Sequence, residues 1–236
     1  MKEKTGLITT GVSCVFLAVL IFMVCCVDVE SIGPEGTSIG LSHLNRFVFE
    51  LTGVNMLWYN ITDWLGIAAI LTAFIFAVTG FVQMVKRRSL FKVDRELLAL
   101  GGLYLVVIGV YILFEKVIVN YRPVIMPGCT QPEASFPSSH TMLVCVIMGS
   151  AAMLIGKYIR CGAPGRALQV ICYVMIGITV LGRLLSGVHW FTDIMGGILI
   201  SIALLSIYKE VIGCFRRRAA YDQKTSEEEN KQEDQV

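Results

Sequence analysis

The sequence predicts an all-α, polytopic membrane protein: six transmembrane helices in a bundle, with a short interfacial helix in the first outer loop. Three observations carry that expectation. First, 55% of the 236 residues are apolar and only 16% are charged, and mean hydropathy is +0.69, beyond what soluble domains of this size carry. Second, six apolar runs reach the roughly 17–25 residues that a helix needs to cross the hydrocarbon core. Third, the charges gather between the runs rather than within them.

The first run, 6–27, is too long for the apolar region of a signal peptide and lacks a small-residue cleavage site, so it is expected to be retained. The loop after it, 28–63, is long for a structureless connection. Leu41, Leu44, Val48 and Leu51 recur there at helical spacing, and Trp58 and Tyr59 suit the headgroup level. This pattern predicts the interfacial helix. "NIT" at Asn60 matches a glycosylation sequon, a pattern common by chance. The remaining runs are 64–85, 97–119, 141–159, 167–185 and 192–214. The loop 120–140 holds four prolines and reads as irregular, and the connection 186–191 is very short. Residues 1–215 form one domain, and the polar tail 216–236 is expected to be disordered and cytoplasmic.

Orientation follows from Lys and Arg in the loops. The N-terminus, the loops after the second and fourth runs (Lys86, Arg87, Arg88, Lys92, Arg95; Lys157, Arg160, Arg166) and the C-terminal segment hold 16 of the 20 basic residues. Both termini are therefore expected in the cytoplasm of a multi-pass cell-membrane protein. Only Arg46, Lys116, Arg122 and Arg183 fall on the other side. No CxxC metal spacing occurs among the eight cysteines, and a Cys25 or Cys26 bond to Cys129 is the one outer pairing to consider. No nucleic-acid partner is expected.

Three segments converge on the outer face: "KVIVNYRP", with Lys116, Arg122 and Pro123; "FPSSH", with Pro137, Ser138, Ser139 and His140; and "GRLLSGVHWFTD", with Arg183, His189 and Asp193. Taken singly, each residue has a bland reading: a headgroup-anchoring arginine, a helix-capping serine, a satisfied histidine. Their convergence argues otherwise, since two of the three histidines and three of the four outer cations fall in these segments. Charge near a bilayer is costly and usually serves something. Three cations with only Asp193 and Glu133 nearby call for an anionic ligand, and two planar guanidinium forks suit phosphoryl oxygens. Ser138, Ser139 and the amides before the fourth run complete an anion cradle. His189 and Asp193 stand at i and i+4 on the sixth helix, where the carboxylate fixes the ring tautomer and frees the other nitrogen as nucleophile. His140 is the candidate general acid. Glu133 is read as a solvated loop residue and Trp190 as an interfacial aromatic. His43 has no part in the site.

These segments resemble the signature motifs of the type 2 phosphatidic acid phosphatase superfamily, which also includes vanadium haloperoxidases. Its pattern is K-x6-RP, PSGH and SR-x5-H-x3-D. The counterparts here are Lys116 with Arg122–Pro123, Pro137-Ser138-Ser139-His140, and Gly182-Arg183 with His189 and Asp193. Ser139 replaces a glycine and Gly182 a serine. The resemblance runs over about 60–210 and implies a bacterial-type lipid phosphate or diphosphate phosphatase acting without a metal or other cofactor. In it His189 forms a phosphohistidine, Asp193 holds its ring, and His140 protonates the leaving oxygen and then activates water. Lys116, Arg122, Ser138, Ser139 and Arg183 hold the phosphoryl group. The substrates it suggests are undecaprenyl diphosphate, phosphatidylglycerophosphate and phosphatidic acid. A lipid phosphotransferase using the same phosphohistidine is the nearest rival, and an anion or lipid transporter is the rival from another class.

Overall fold

The structure, a computed structural model, describes residues 2–159 and 162–233; Arg160, expected in an inner loop, lies outside them. Seven α-helices follow one another among the described residues: α1 (Lys2–Cys26), α2 (Ser42–Thr52), α3 (Met56–Arg87), α4 (Arg95–Lys116), α5 (Ser139–Tyr158), α6 (Ala163–Ser186) and α7 (Phe191–Glu233). All but α2 contain a stretch long and apolar enough to cross a membrane. The 22 residues of α4 rise about 33 Å, enough for a hydrocarbon core of about 30 Å. The six expected spans are therefore present, and α2 is the short helix expected in the first outer loop. Leu44, Phe47 and Leu51 on α2 are exposed, as an interfacial position requires.

The bundle is built around α5. Its apolar window is 72% buried, against 11–28% for the other five, so α5 is the hub and the others turn one face to lipid. Phe16 of α1, Phe74 of α3 and Leu105 of α4 are accordingly exposed. On one flank of α5, Leu97, Leu100 and Leu103 of α4 pack with Met142, Val146, Ile200 and Tyr208. On the other, Ala69 of α3 and Cys172 of α6 pack with Val144, Ile147, Met148 and Ala151. The small run Gly149–Ala152 lets neighbours close in; a Cβ on Gly149 would lie 2.6 Å from Leu205 of α7. The outermost helix, α1, lies along α7.

At the end of the bundle where α3 finishes and α4 starts, inner on the expected orientation, the basic residues that set that expectation also fasten the bundle. Asp94 accepts hydrogen bonds from Arg87 and Tyr158, each at 3.0 Å. Glu96 pairs with Lys157 and with Arg216, the latter at 2.7 Å. The ends of α3, α4 and α5 are thus tied to one another and to α7 by ion pairs. Beyond them α7 stays helical to Glu233 where the sequence reading expects a disordered tail; its Ala, Glu, Gln and Lys residues are good helix formers.

At the opposite end, outer on that expectation, the first loop folds back on α1. Glu30 and Ile39 form an isolated bridge, and Gly40 passes so close to Val24 that a Cβ would overlap its carbonyl oxygen. Asp28 takes hydrogen bonds from Ser42 and the His43 amide, and contacts the His43 ring at 2.6 Å. His43 is thereby accounted for away from the site. The turn between α2 and α3 fixes two neighbouring elements. Asn55 caps α3, its Oδ1 accepting from the Leu57 and Trp58 amides, so α3 starts at Met56 and not near 64. In addition, the Asn55 amide donates to the Ser186 carbonyl at 3.0 Å. Gly187 has φ +64° and lies against Gly53, where no side chain fits. The connection between α6 and α7 is thus seated on the α2–α3 turn.

Candidate active site

Asp193 uses both carboxylate oxygens in hydrogen bonds. It occupies the first turn of α7, where a carboxylate meets the helix dipole favourably, and it is completely buried. One oxygen accepts from the Trp190 amide at 2.9 Å and from Ser135 Oγ; the other accepts from Asn120 Nδ2 at 3.2 Å. Its bond back to Trp190 is a capping interaction. The sequence reading places His189 and Asp193 on one helix, but α7 begins at Phe191, so His189 belongs to the connection ahead of it. Its Nδ1 lies 3.8 Å from Asp193 Oδ2.

His189 is 4% exposed, and neither ring nitrogen has a hydrogen-bond partner within the protein. Burial, and then the cations Arg122 and Arg183, hold its imidazole below the ordinary value of 6.5, against the opposing pull of Asp193. At neutral pH the ring is therefore uncharged and keeps a lone pair.

Two guanidinium groups accompany it. Arg122 is positioned by a strand-like return of the second outer loop, in which its amide donates to the Glu133 carbonyl and the Ser135 amide to that of Asn120, both at 2.9 Å. Glu133, expected to be merely solvated, lies 3.3 Å from Arg122 Nε. Arg183, on the last turn of α6, is fully buried and stacks over Tyr59 at 4.9 Å. Nε and Nη1 of Arg122, and all three nitrogens of Arg183, lack hydrogen-bond partners in the protein. Buried donors are rarely left so. Five guanidinium nitrogens, unsatisfied and buried around the unpaired His189 ring at one end of the bundle, form a site for a multiply charged oxyanion.

Ser138 and Ser139 open α5 on the same side. Ser138 is buried; its amide donates to the Asp193 carbonyl at 2.9 Å, and its Oγ accepts from Thr141 at 3.0 Å. The first of these bonds ties the start of α5 to the start of α7. Ser139 lines a water-sized cavity of about 30 Å³ together with Arg122, Ser135 and His189. Ser139 also borders a larger, mostly apolar cavity of about 370 Å³ between α3, α4 and α5, where Asp63 and His140 meet Ile67, Ile70 and Ile108. The departure at Gly182 has a packing cause: a Cβ there would lie 2.5 Å from Thr62 and 3.1 Å from Trp58, so any side chain would push α6 off α3.

One expected residue is not brought in. Lys116 is exposed at the end of α4 and lines neither cavity. Only residues 117–121 separate it from Arg122, one fewer than K-x6-RP, and it is Glu115 that faces the smaller cavity. Three residues were missed. Asn120 and Ser135 hold Asp193, and nothing but their nearness to the motifs marks them. Asp63 meets His140, its Oδ1 2.9 Å from Nε2, and lies 3.7 Å from Arg183. A lone carboxylate at the mouth of an apolar run was a readable signal. All the described cysteines named in the outer pairing, Cys25, Cys26 and Cys129, are free thiols.

The sequence model of the PAP2 superfamily matches residues 95–214, which hold the three motifs and more than half of the chain, so the chain belongs to that superfamily. Phosphatidylglycerophosphatase B of Bacillus subtilis (strain 168) is 29% identical over 126 residues, which are 50% of this chain and 62% of that protein. The fold is that of a solved structure described as the first transmembrane PAP2 type phosphatidylglycerolphosphate phosphatase from Bacillus subtilis. The two superpose with a TM-score of 0.58 at 18% identity, over 89% of this chain and 96% of the other.

Proposed function

We propose that this chain is a membrane lipid phosphatase that cleaves a phosphomonoester or diphosphate headgroup through a phosphohistidine on His189. The observation that carries the reading is the set of unsatisfied donors on Arg122, Arg183 and His189 beside an apolar cavity that ends at His140. The donors suit phosphoryl oxygens, and the cavity suits a hydrocarbon tail. The mechanism divides in two steps. The neutral His189 ring attacks phosphorus, forming an N–P bond as the ester P–O bond breaks, and His140 gives its proton to the departing oxygen. Water then attacks phosphorus, the N–P bond breaks, and His140 takes up a proton from the water. Arg122 and Arg183 stabilise the charge on the phosphoryl oxygens in both transition states, with the amides at the start of α5 beside them. Asp193 stabilises the imidazolium form that His189 passes through. Two guanidinium groups repel a divalent cation, so the reaction is expected to proceed without a metal.

The names of both relatives point to phosphatidylglycerophosphate as the first substrate to try, ahead of undecaprenyl diphosphate and phosphatidic acid. The clustering of basic residues at the end opposite the site supports cytoplasmic termini and an extracytoplasmic active site. The test is phosphate release from these three lipids in detergent with excess chelator. Release from at least one is expected, abolished in His189→Ala and reduced about a hundredfold or more in His140→Ala. Loss of the intact protein's activity in chelator would overturn the metal-free step. A phosphorylated acceptor in place of free phosphate would make the protein a transferase.

A further inference from the structure

We propose that Asp63 is the positioning partner of His140, so that the site runs on two carboxylate–histidine pairs; this rests on the phosphatase reading above. Asp63 belongs to the outermost turns of α3, which exist because Asn55 starts the helix at Met56. Its Oδ1 lies 2.9 Å from His140 Nε2. One turn further along the same face is Gly66, where a Cβ would stand 3.0 Å from His140 Cδ2. Asp63 thus grips one ring nitrogen while the bare backbone at Gly66 gives the ring its seat. Both residues line the larger cavity with His140.

The chemistry asks for such a partner. His140 has to carry a proton at the start of the first step and lose it at the end, beside the guanidinium of Arg183 and the ring of His189. A carboxylate on Nε2 keeps a proton there, stabilises the imidazolium against that guanidinium and leaves the other ring nitrogen to trade its proton with the leaving oxygen and then with water. Asp193, 3.8 Å from His189 Nδ1, is the second carboxylate beside a histidine. The 3.7 Å approach of Asp63 to Arg183 Nη2 ties this pair to the phosphoryl-binding arginine.

The experiment compares the intact protein with Asp63→Asn on two substrates in detergent: phosphatidylglycerophosphate, whose alkoxide needs a proton to leave, and nitrophenyl phosphate, whose phenolate does not. On the lipid, kcat should fall about 10–100-fold, with KM changed by less than about twofold. On nitrophenyl phosphate, the variant should release a burst of about one equivalent of nitrophenol, followed by slow turnover limited by the water step. The burst also counts correctly folded sites. Unchanged kinetics in Asp63→Asn, while His189→Ala is inactive, would overturn the role of Asp63 and leave the phosphatase reading standing. Loss of both burst and turnover would also overturn it, because Asp63 would then be needed for the fold or for nucleophilic attack. If the intact protein releases phosphate from neither substrate, or His189→Ala keeps full activity, it is the phosphatase reading that fails.

Discussion

His189 is held uncharged by its surroundings: it is buried, and Arg122 and Arg183 act with that burial against Asp193. The sign of the effect can be followed through to a rate. Its lowered pKa means the ring takes up a proton, and loses its lone pair, only at a pH below the ordinary 6.5. The acid limb of kcat/KM is therefore expected below 6.5 in a pH–rate profile, and an acid limb above that value would contradict the burial argument. At this scale the motifs were readable because rare residues converge: His140, His189, Asp193, Arg122, Arg183, Ser138 and Ser139 all gather at one end. Lys116 was misread, because a single missing residue before Arg122 turns that part of α4 by about 100° and presents Glu115 instead. Asp63 went unseen because the sequence reading closed the first outer loop on it and left its place at the mouth of an apolar run unused. On a helix that faces a histidine it has a partner.

Between helices, the contact of α6 with α3 is the one the site depends on, since Arg183 and Asp63 face each other across it. Gly182 makes that approach possible. Restoring the superfamily's serine, Gly182→Ser, is expected to destabilise the protein by about 1–3 kcal/mol through overpacking against Thr62 and Trp58, seen as a lower thermal midpoint in detergent. An unchanged midpoint would mean that α6 has room to shift. Hydropathy gave the middle of every span, because crossing the hydrocarbon dictates composition there. It did not give the ends. The start of α3 is set by the Asn55 cap and that of α7 by the Asp193 carboxylate bonding back to Trp190. Such local polar choices leave little trace in an apolar average. The α2–α3 turn that supports Gly187 is likewise a matter of close backbone approach, which a sequence expresses only as an isolated glycine.

Across the whole molecule, charge is divided between two ends with different tasks. At the inner end Asp94, Glu96, Lys157 and Arg216 are joined in ion pairs. The outer end keeps buried donors unsatisfied. The proposed orientation can be checked with an impermeant thiol reagent on single-cysteine variants. Cys129, exposed in the second outer loop, should be labelled on intact cells. A cysteine introduced by Arg88→Cys, in the exposed turn after α3, should be labelled only after permeabilisation. The reverse pattern would invert the topology.

The cavity between α3, α4 and α5 is walled by isoleucines, Val107 and Leu143 and leads to His140, on a flank where α3 and α4 touch only sparsely. A lipid held there keeps its tail among hydrocarbon while its phosphate is cleaved, so substrate reaches the enzyme by sliding within one leaflet instead of crossing water. On the proposed reading, the quantity that governs turnover is then mole fraction in the bilayer: diluting the substrate with inert lipid slows the enzyme even when the amount per millilitre of suspension stays the same.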